Sequence, residues 1–301
     1  MVEIHEVSAD EFAVSPTAGP AAALREVAEA CDAHDEVITL NEQACLQLKY
    51  RGLRDARLWL AADADRTTGF ALLHGEILDL AVHPDSRGQG VGTALAAAAL
   101  ADLAKVEAWS HADHPAAARI AERFGIERER ELKIMSRPTS LPVPPAVAPD
   151  GVRLRSFREG DTAELLRVNA IAFAHHPEQG HMTEEDFTER THEAWFDADG
   201  LIMAVDEVTD ELLGFHWTKV HRDEDPPYGE VYVVAVNPKY AGRGLGTVLT
   251  RAGLEHLADS GVGQVILYVD GDNVPAIAVY QGQGFTDVRT EAQYRGRPSI
   301  P

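Results

Sequence analysis

The sequence predicts an α/β protein of two tandem domains. Three observations carry that expectation: an internal repeat, a proline-rich joint between its copies, and a strand, glycine loop and helix pattern inside each copy. Residues 75–95 (GEILDLAVHPDSRGQGVGTAL) laid on residues 229–249 (GEVYVVAVNPKYAGRGLGTVL) agree at ten of 21 positions without a gap. A single recurrence at so long a spacing means a duplicated domain, whereas solenoid periods are roughly 20–50 residues. Between the copies, residues 137–151 hold five prolines. Proline lacks a backbone donor and fixes φ, so this stretch reads as an extended, semi-rigid linker. The expected division is a first domain over 1–137, a linker over 138–151 and a second domain over 152–301.

Composition narrows the function. The 301 residues are 45% hydrophobic and 25% charged, enough to bury proper cores. Against 27 Lys and Arg stand 49 Asp and Glu, a net charge of −22, which argues against nucleic acid or an anionic membrane as a partner. No apolar run approaches the roughly 18 residues of a membrane span, and residues 1–10 carry no signal-type apolar stretch. The expectation is a cytoplasmic protein, monomeric because no long heptads are present. Cys31 and Cys45 have neither zinc spacing nor a C-x-x-C pair and are expected to be reduced thiols.

The second copy shows the elements most clearly. Glu230 to Val236 is β-branched and aromatic, as a buried strand is, and Asn237-Pro238 ends it. From Thr247 to Ala258 apolar residues return every three or four positions, a helix. Val265 to Val269 is a second strand, and after Asp272-Asn273 a helix runs towards Gly282.

Between the strand and its helix lie the loops Arg87-Gly88-Gln89-Gly90-Val91-Gly92 and Ala241-Gly242-Arg243-Gly244-Leu245-Gly246. Glycines before a helix let the backbone approach a ligand and leave the first helical N–H groups pointing outward, which is what a pyrophosphate requires. Neither the Rossmann spacing nor a P-loop G-K-[ST] is present. Such a loop alone is often a plain tight turn, but two copies in the same context favour the phosphate reading.

With the Asn273-x-x-Ala276-x-x-x-Tyr280-x-x-x-Gly284-Phe285 string, these loops resemble the GNAT superfamily of acyl-CoA N-acyltransferases, and the resemblance covers both halves. It implies that each domain is a mixed, mostly antiparallel, twisted sheet flanked by helices (α/β, α+β). Acetyl-CoA is then the cosubstrate, with no metal. The implied cofactor contacts are Leu80, Ala81, Val82, Arg87, Gly88, Gln89, Gly90, Val91, Gly92 and Thr93 in the first copy. In the second they are Val234, Ala235, Val236, Ala241, Gly242, Arg243, Gly244, Leu245, Gly246, Thr247, Asn273, Val274, Pro275, Ala276, Ile277 and Ala278. The strand backbone would pair with the pantetheine arm and the loop would cradle the pyrophosphate. Ala241 departs from the Arg or Gln usual in the family, which would weaken that cradle without abolishing it.

An ammonium must lose a proton before it attacks a thioester, and the departing thiolate must gain one. Glu230, near the start of its strand, is the expected base; the alternative is a solvated strand-end carboxylate. Tyr280, two helical turns beyond Asn273, is the expected acid; the alternative is a core tyrosine. A backbone N–H within Val234 to Val236 is expected to meet the carbonyl oxygen. The repeat supplies a control: matching the glycine loops places Glu76 opposite Glu230. Matching Phe124-Gly125-Ile126 to Gln283-Gly284-Phe285 places Ala121 opposite Tyr280 and His114 opposite Asn273. The first domain is therefore expected to keep a carboxylate, to lack the acid and not to react.

The strings FAHHPEQG (173–180), LGFHWTKVH (213–221) and GEVYV (229–233) are similar to a tandem-domain branch of the superfamily that acetylates the cysteinyl amine of cysteinyl-glucosaminyl-inositol. That resemblance implies Glu42, Glu178, Lys219, Glu230 and Tyr268 as contacts to a small-molecule acceptor. Carboxylates and a lysine suit an array of hydroxyls, and an ammonium needs nearby negative charge. Of the 13 histidines, His175, His176 and His181 cluster, as do His216 and His221, without metal-site spacing. His216 and His221 are alternative bases. Two further readings stay open: a GNAT with another amine acceptor, such as an aminoglycoside, polyamine or peptide amino terminus, and a non-catalytic acetyl-CoA sensor.

Overall fold

A computed structural model describes residues 2–13, 18–64, 66–174 and 179–300. The chain divides into two compact units, residues 1–132 with 290–301, and residues 133–289. The proline-rich stretch 138–151 falls within the second unit, and the final residues group with the first.

In the first unit the strands β1 (Glu3–Val7), β2 (Ala56–Asp63), β3 (Arg66–His74), β4 (Ile77–Val82) and β5 (Val106–Ser110) lie side by side in that order. The C-terminal half of the chain's last strand, β12 (Thr286–Gly296), extends them, Ala292–Gly296 running antiparallel to Ser110–Val106. That pairing is why residues 290–301 belong to this unit. Helices α1 (Ala9–Ala13), α2 (Gly19–Asp35) and α3 (Glu42–Leu46) cover one face, and α4 (Val91–Leu100) and α5 (Pro115–Arg123) the other. Val7, Leu24, Val27, Phe70 and Leu72 make the first core; Trp59, Leu73, Leu78, Leu95 and Phe124 make the second. The central strands β2, β3 and β4 are largely apolar because helices cover both faces, whereas the edge strand β1 is mostly polar and exposed.

The second unit repeats this plan. Its strands follow the order β11-β10-β9-β8-β7, with residues 133–138 of β6 (Glu127–Pro138) beside β11. Here β7 is Val152–Ser156, β8 Leu201–Asp206, β9 Leu212–His221, β10 Tyr228–Val236 and β11 Gln264–Asp270. Helices α6 (Thr162–Ala172) and α7 (Glu184–Thr191) lie on one face of the sheet. On the other lie α8 (Leu245–Asp259) and α9 (Val274–Gly282). The four elements expected from the second glycine loop's surroundings are thus β10, α8, β11 and α9. The β4–β5 and β10–β11 pairs are parallel, each joined by a crossover helix, while neighbours from β1 to β4, from β7 to β10 and in β5–β12 run antiparallel. The sheets are mixed and mostly antiparallel, as expected.

The two copies also share local devices. His83 and Asn237 each accept the N–H two residues on, closing the turn after the strand. His114 and Asn273 cap α5 and α9 with their side chains. Each of these helices ends alike: the carbonyl of Ala121 accepts from Phe124 and Ile126, and that of Tyr280 from Gln283 and Phe285. The expected correspondences of Ala121 with Tyr280 and of His114 with Asn273 therefore hold in the backbone.

Candidate active site

The second unit opens its sheet where the strand was expected to receive a cofactor. β10 pairs with β11 only from Gly229 to Val231, against Val265 to Leu267, and then the strands part. On its other side β10 carries a bulge: Val231 faces Thr218 and Val233 faces Trp217, so Tyr232 is the extra residue. A bulge bends its strand and strengthens the local twist. The peptide groups of Val234, Ala235 and Val236 therefore pair with β9 on one side only. Val234 and Val236 send their side chains into the core beneath α8, leaving backbone to face the opening.

The loop after β10 fits an anion. Gly242 and Gly244 have φ of 79° and 77°, the left-handed region that suits glycine. Beyond the adjacent residues and the helix's own backbone, no atom lies within 4 Å of where a Cβ would stand at Gly242, Gly244 or Gly246, so the surface above them is open. Gly244 caps α8 without any side-chain hydrogen bond, and the first helical bond runs from Val248 N–H to Gly244 O. The amides of Leu245, Gly246 and Thr247 are thus left to a ligand at the positive end of the helix. Arg243 stacks over the Tyr240 ring at 5.8 Å.

One face of this sheet carries three of the five expected acceptor residues, Lys219, Glu230 and Tyr268. Val231, Leu267 and Val269 face the α8 side, so Glu230 and Tyr268 point to the other. Glu230 lies opposite Lys219 on β9 and Ile266 on β11. Its carboxylate is buried and its Oε2 lies 2.6 Å from His221 Nε2. The Lys219 ammonium sits over the rings of Trp195 at 4.7 Å and Tyr232 at 5.3 Å. Tyr232 in turn accepts a 2.8 Å hydrogen bond from Arg190 Nε. Sequence reasoning missed Trp195, Tyr232 and Arg190. Their only signal was the aromatic density around 195–232, whose geometry depends on the bulge.

Tyr280 lies on α9 and packs edge-on against Phe285 at 5.9 Å. Burial pushes its phenol up to about 12, so at neutral pH it carries its proton. The two histidines named as alternative bases separate. His221 joins Glu230, whereas His216 is wholly buried beneath α8, with Nδ1 2.7 Å from Leu249 O. That burial pushes His216 down to about 4 and removes it from any proton exchange with a substrate. Glu42 stands in the first turn of α3, which Asn41 caps. Glu178, with His175 and His176, lies outside the described residues.

A sequence model described as the Acetyltransferase (GNAT) family matches residues 25–126 and 168–285. The chain belongs to the GNAT acetyltransferase family. It is an acetyl-transferring enzyme of a family that uses acetyl-CoA. It is 50% identical over 291 residues to a Nocardioides sp. protein named mycothiol acetyltransferase, covering 91% of this chain and 97% of that one. A Thermobispora bispora protein of the same name is 46% identical, covering 94% and 98%. In fold, the chain is similar to a GCN5-related N-acetyltransferase from Sphaerobacter thermophilus, with a TM-score of 0.70 at 21% identity, covering 98% and 95%. It is also similar to a tandem GNAT protein from the clavulanic acid biosynthesis pathway, with a TM-score of 0.72 at 20% identity and 98% of each chain covered.

The two GNAT copies differ on the face that carries Glu230, and the pairing corrects one expectation. Gly69 on β3 pairs with Val82, as Gly214 on β9 pairs with Val236. Counting back along unbroken pairing in the first copy, Ile77 faces His74 and Glu107; in the second, beyond the bulge, Glu230 faces Lys219 and Ile266. Ile77, not Glu76, is thus the counterpart of Glu230. A gapless alignment cannot register one extra residue in the bulge, and the shared Gly-Glu at 75–76 and 229–230 concealed it. Glu76 sits in the turn before β4, exposed, with its carboxylate 2.6 Å from Lys105 Nζ.

The edge of the first copy where a cofactor was expected also differs. Arg87 donates both terminal guanidinium nitrogens to Asp35 at 2.8 and 2.7 Å and its Nε to the Val82 carbonyl at 3.1 Å. The arginine expected beside a phosphate is thereby engaged, and its hydrogen bonds hold the Asp35 carboxyl below its usual range. Its counterpart Ala241 leaves the Val236 end of β10 uncovered by such a side chain.

Proposed function

We propose that the chain transfers acetyl from acetyl-CoA to the cysteinyl amine of cysteinyl-glucosaminyl-inositol, forming mycothiol, and that the second unit performs the transfer. The near full-length similarity to proteins named mycothiol acetyltransferase supports this acceptor. The observation that carries the assignment to the second unit is Glu230, a buried carboxylate on the sheet face away from α8, beside a parted strand and in the backbone position that Ile77 takes in the first unit.

Acetyl-CoA supplies an activated acetyl thioester. The open edge of Val234 to Val236 binds the pantetheine arm as an added strand, and the amides of residues 242–247 take the pyrophosphate. Glu230 receives a proton from the acceptor ammonium, directly or through water, and Tyr280 gives one to the departing sulfur. An amide of the open edge meets the carbonyl oxygen as negative charge develops there. Lys219 donates to acceptor hydroxyls and Tyr268 lines the same face. The first unit has Ile77 and Ala121 in place of Glu230 and Tyr280, so its glycine loop is proposed to serve binding without turnover.

The test is CoA release from acetyl-CoA with a panel of amines. The expected acceptor outpaces polyamines, aminoglycosides and peptides; preference for any of those would move the reading to another acetyltransferase, and no release with any acceptor would leave an acetyl-CoA sensor.

A further inference from the structure

The base proposed for the reaction does not stand alone. His221, the last residue of β9, lies across from Tyr228, the first of β10, and their rings stack at 4.3 Å with an interplanar angle of 20°. The stack fixes the imidazole plane. Nε2 then lies 2.6 Å from Glu230 Oε2, with the His221 and Glu230 side chains only 17% and 10% exposed. A carboxylate only accepts, so in this pair Nε2 of His221 is assigned as the donor.

We propose that His221 is the positioning residue of the proton-accepting step: its Nε2–H occupies Glu230 Oε2 and leaves Oε1 as the oxygen that meets the acceptor amine. This rests on the acetyl-transfer reading above. One ammonium proton goes to Oε1 while His221 keeps its own; the nitrogen's freed pair forms the C–N bond, the C–S bond breaks as the sulfur takes a proton from Tyr280, and the nitrogen loses its second proton to solvent, from which the Tyr280 phenol is restored. A carboxylate held by one oxygen presents the other in a fixed direction, and small misplacements of a reacting group are expensive in rate.

The surrounding charges leave the pair its role. Lys219, two residues earlier on β9, turns its ammonium over Trp195 and Tyr232. Tyr228 is pushed up by burial, then by the charges of Glu230 and Glu224 in the β9–β10 loop, with Arg289 on β12 opposing. Its phenol therefore stays protonated and does not replace Glu230 as base.

Two variants separate positioning from packing. His221→Phe keeps a ring against Tyr228 and removes the donor; His221→Gln keeps a side-chain N–H donor for Oε2. The Phe variant is expected to lose kcat by about 10- to 100-fold with KM for acetyl-CoA unchanged, and the Gln variant to recover most of it. Wild-type kcat in the Phe variant, or a Gln variant as slow as Phe, would overturn the proposal. Should the Phe variant not fold, His221→Asn, too short to reach Oε2, takes its place under the same readings. If the wild-type chain does not acetylate the cysteinyl amine, the acceptor reading fails separately. The pair is then read by proton NMR of the full chain: a low-field Nε2–H signal that moves upfield in Glu230→Gln supports it, and one that stays in place refutes it.

Discussion

Ile77 in the first unit occupies the backbone position that Glu230 occupies in the second, each paired to the strand before it and to the parallel strand after it. One bulge residue, Tyr232, separates the copies, and with it the first unit has an alkyl group where the second has its carboxylate. Glu76, adjacent in sequence, is a solvent-facing partner of Lys105. Glu76→Gln is accordingly expected to leave acetyl transfer and the denaturation midpoint at their wild-type values, since exposed ion pairs contribute little. A steady-state assay beside a urea melt checks both.

Tyr280 is expected to act as a neutral phenol. Tyr280→Phe should lower kcat by about 100-fold or more while the fold is kept, because proton transfer by a positioned group contributes on that scale. Since burial pushes the phenol up to about 12, the phenolate absorbance step assigned by difference to Tyr280 should fall near pH 12 and not near 10. A step near 10 would mean that the phenol is not buried in solution.

The two glycine loops should be unequal in their effect. Gly244→Ala places a Cβ in open space, so packing is undisturbed, yet the left-handed φ of 77° costs about 1–2 kcal/mol and the methyl projects from the loop surface. A severalfold rise in KM for acetyl-CoA is expected. Gly90→Ala, with φ of 86° in the first unit, should leave turnover and KM unchanged. Initial rates against acetyl-CoA concentration decide it.

His216 sets an acid limit on stability. It is buried neutral and pushed down to about 4 from 6.5, so the unfolded chain binds the proton that the folded chain refuses. Its contribution is full above pH 6.5 and is lost as pH falls towards 4, amounting to about 3 kcal/mol at the low end by linkage. Urea midpoints measured across that window should fall, and should fall less steeply in His216→Phe. The same ring explains Gly253: a Cβ there would lie 1.9 Å from His216 Cε1. Gly253→Ala should destabilise by about 1–3 kcal/mol. It should become nearly neutral in a His216→Ala background, which a double-mutant cycle measures.

The duplication, both glycine loops and the sheet class were legible in the sequence because local glycine and strand chemistry repeats there in recognisable strings. Glu230, Lys219 and Tyr268 were named from similarity, and strand alternation then put them on one face. What the sequence hid was pairing: the bulge at Tyr232 displaced Glu76 from the match with Glu230. The return of residues 290–301 to the first unit is a long-range hydrogen-bonding choice by β12, which no local pattern announces. The −22 net charge says nothing against CoA, since the loop proposed to take the pyrophosphate offers backbone amides at a helix end. Arg87, counted beside the first loop, answers to Asp35 instead.

Glu230, one carboxylate in the second unit, is proposed to take the acceptor's proton. The most direct test is the rate of CoA release with cysteinyl-glucosaminyl-inositol at saturating acetyl-CoA, compared between the wild type and Glu230→Gln. A kcat lower by about 100- to 10,000-fold with KM for acetyl-CoA unchanged is expected; a Glu230→Gln enzyme that turns over like the wild type would show that Glu230 is not the base.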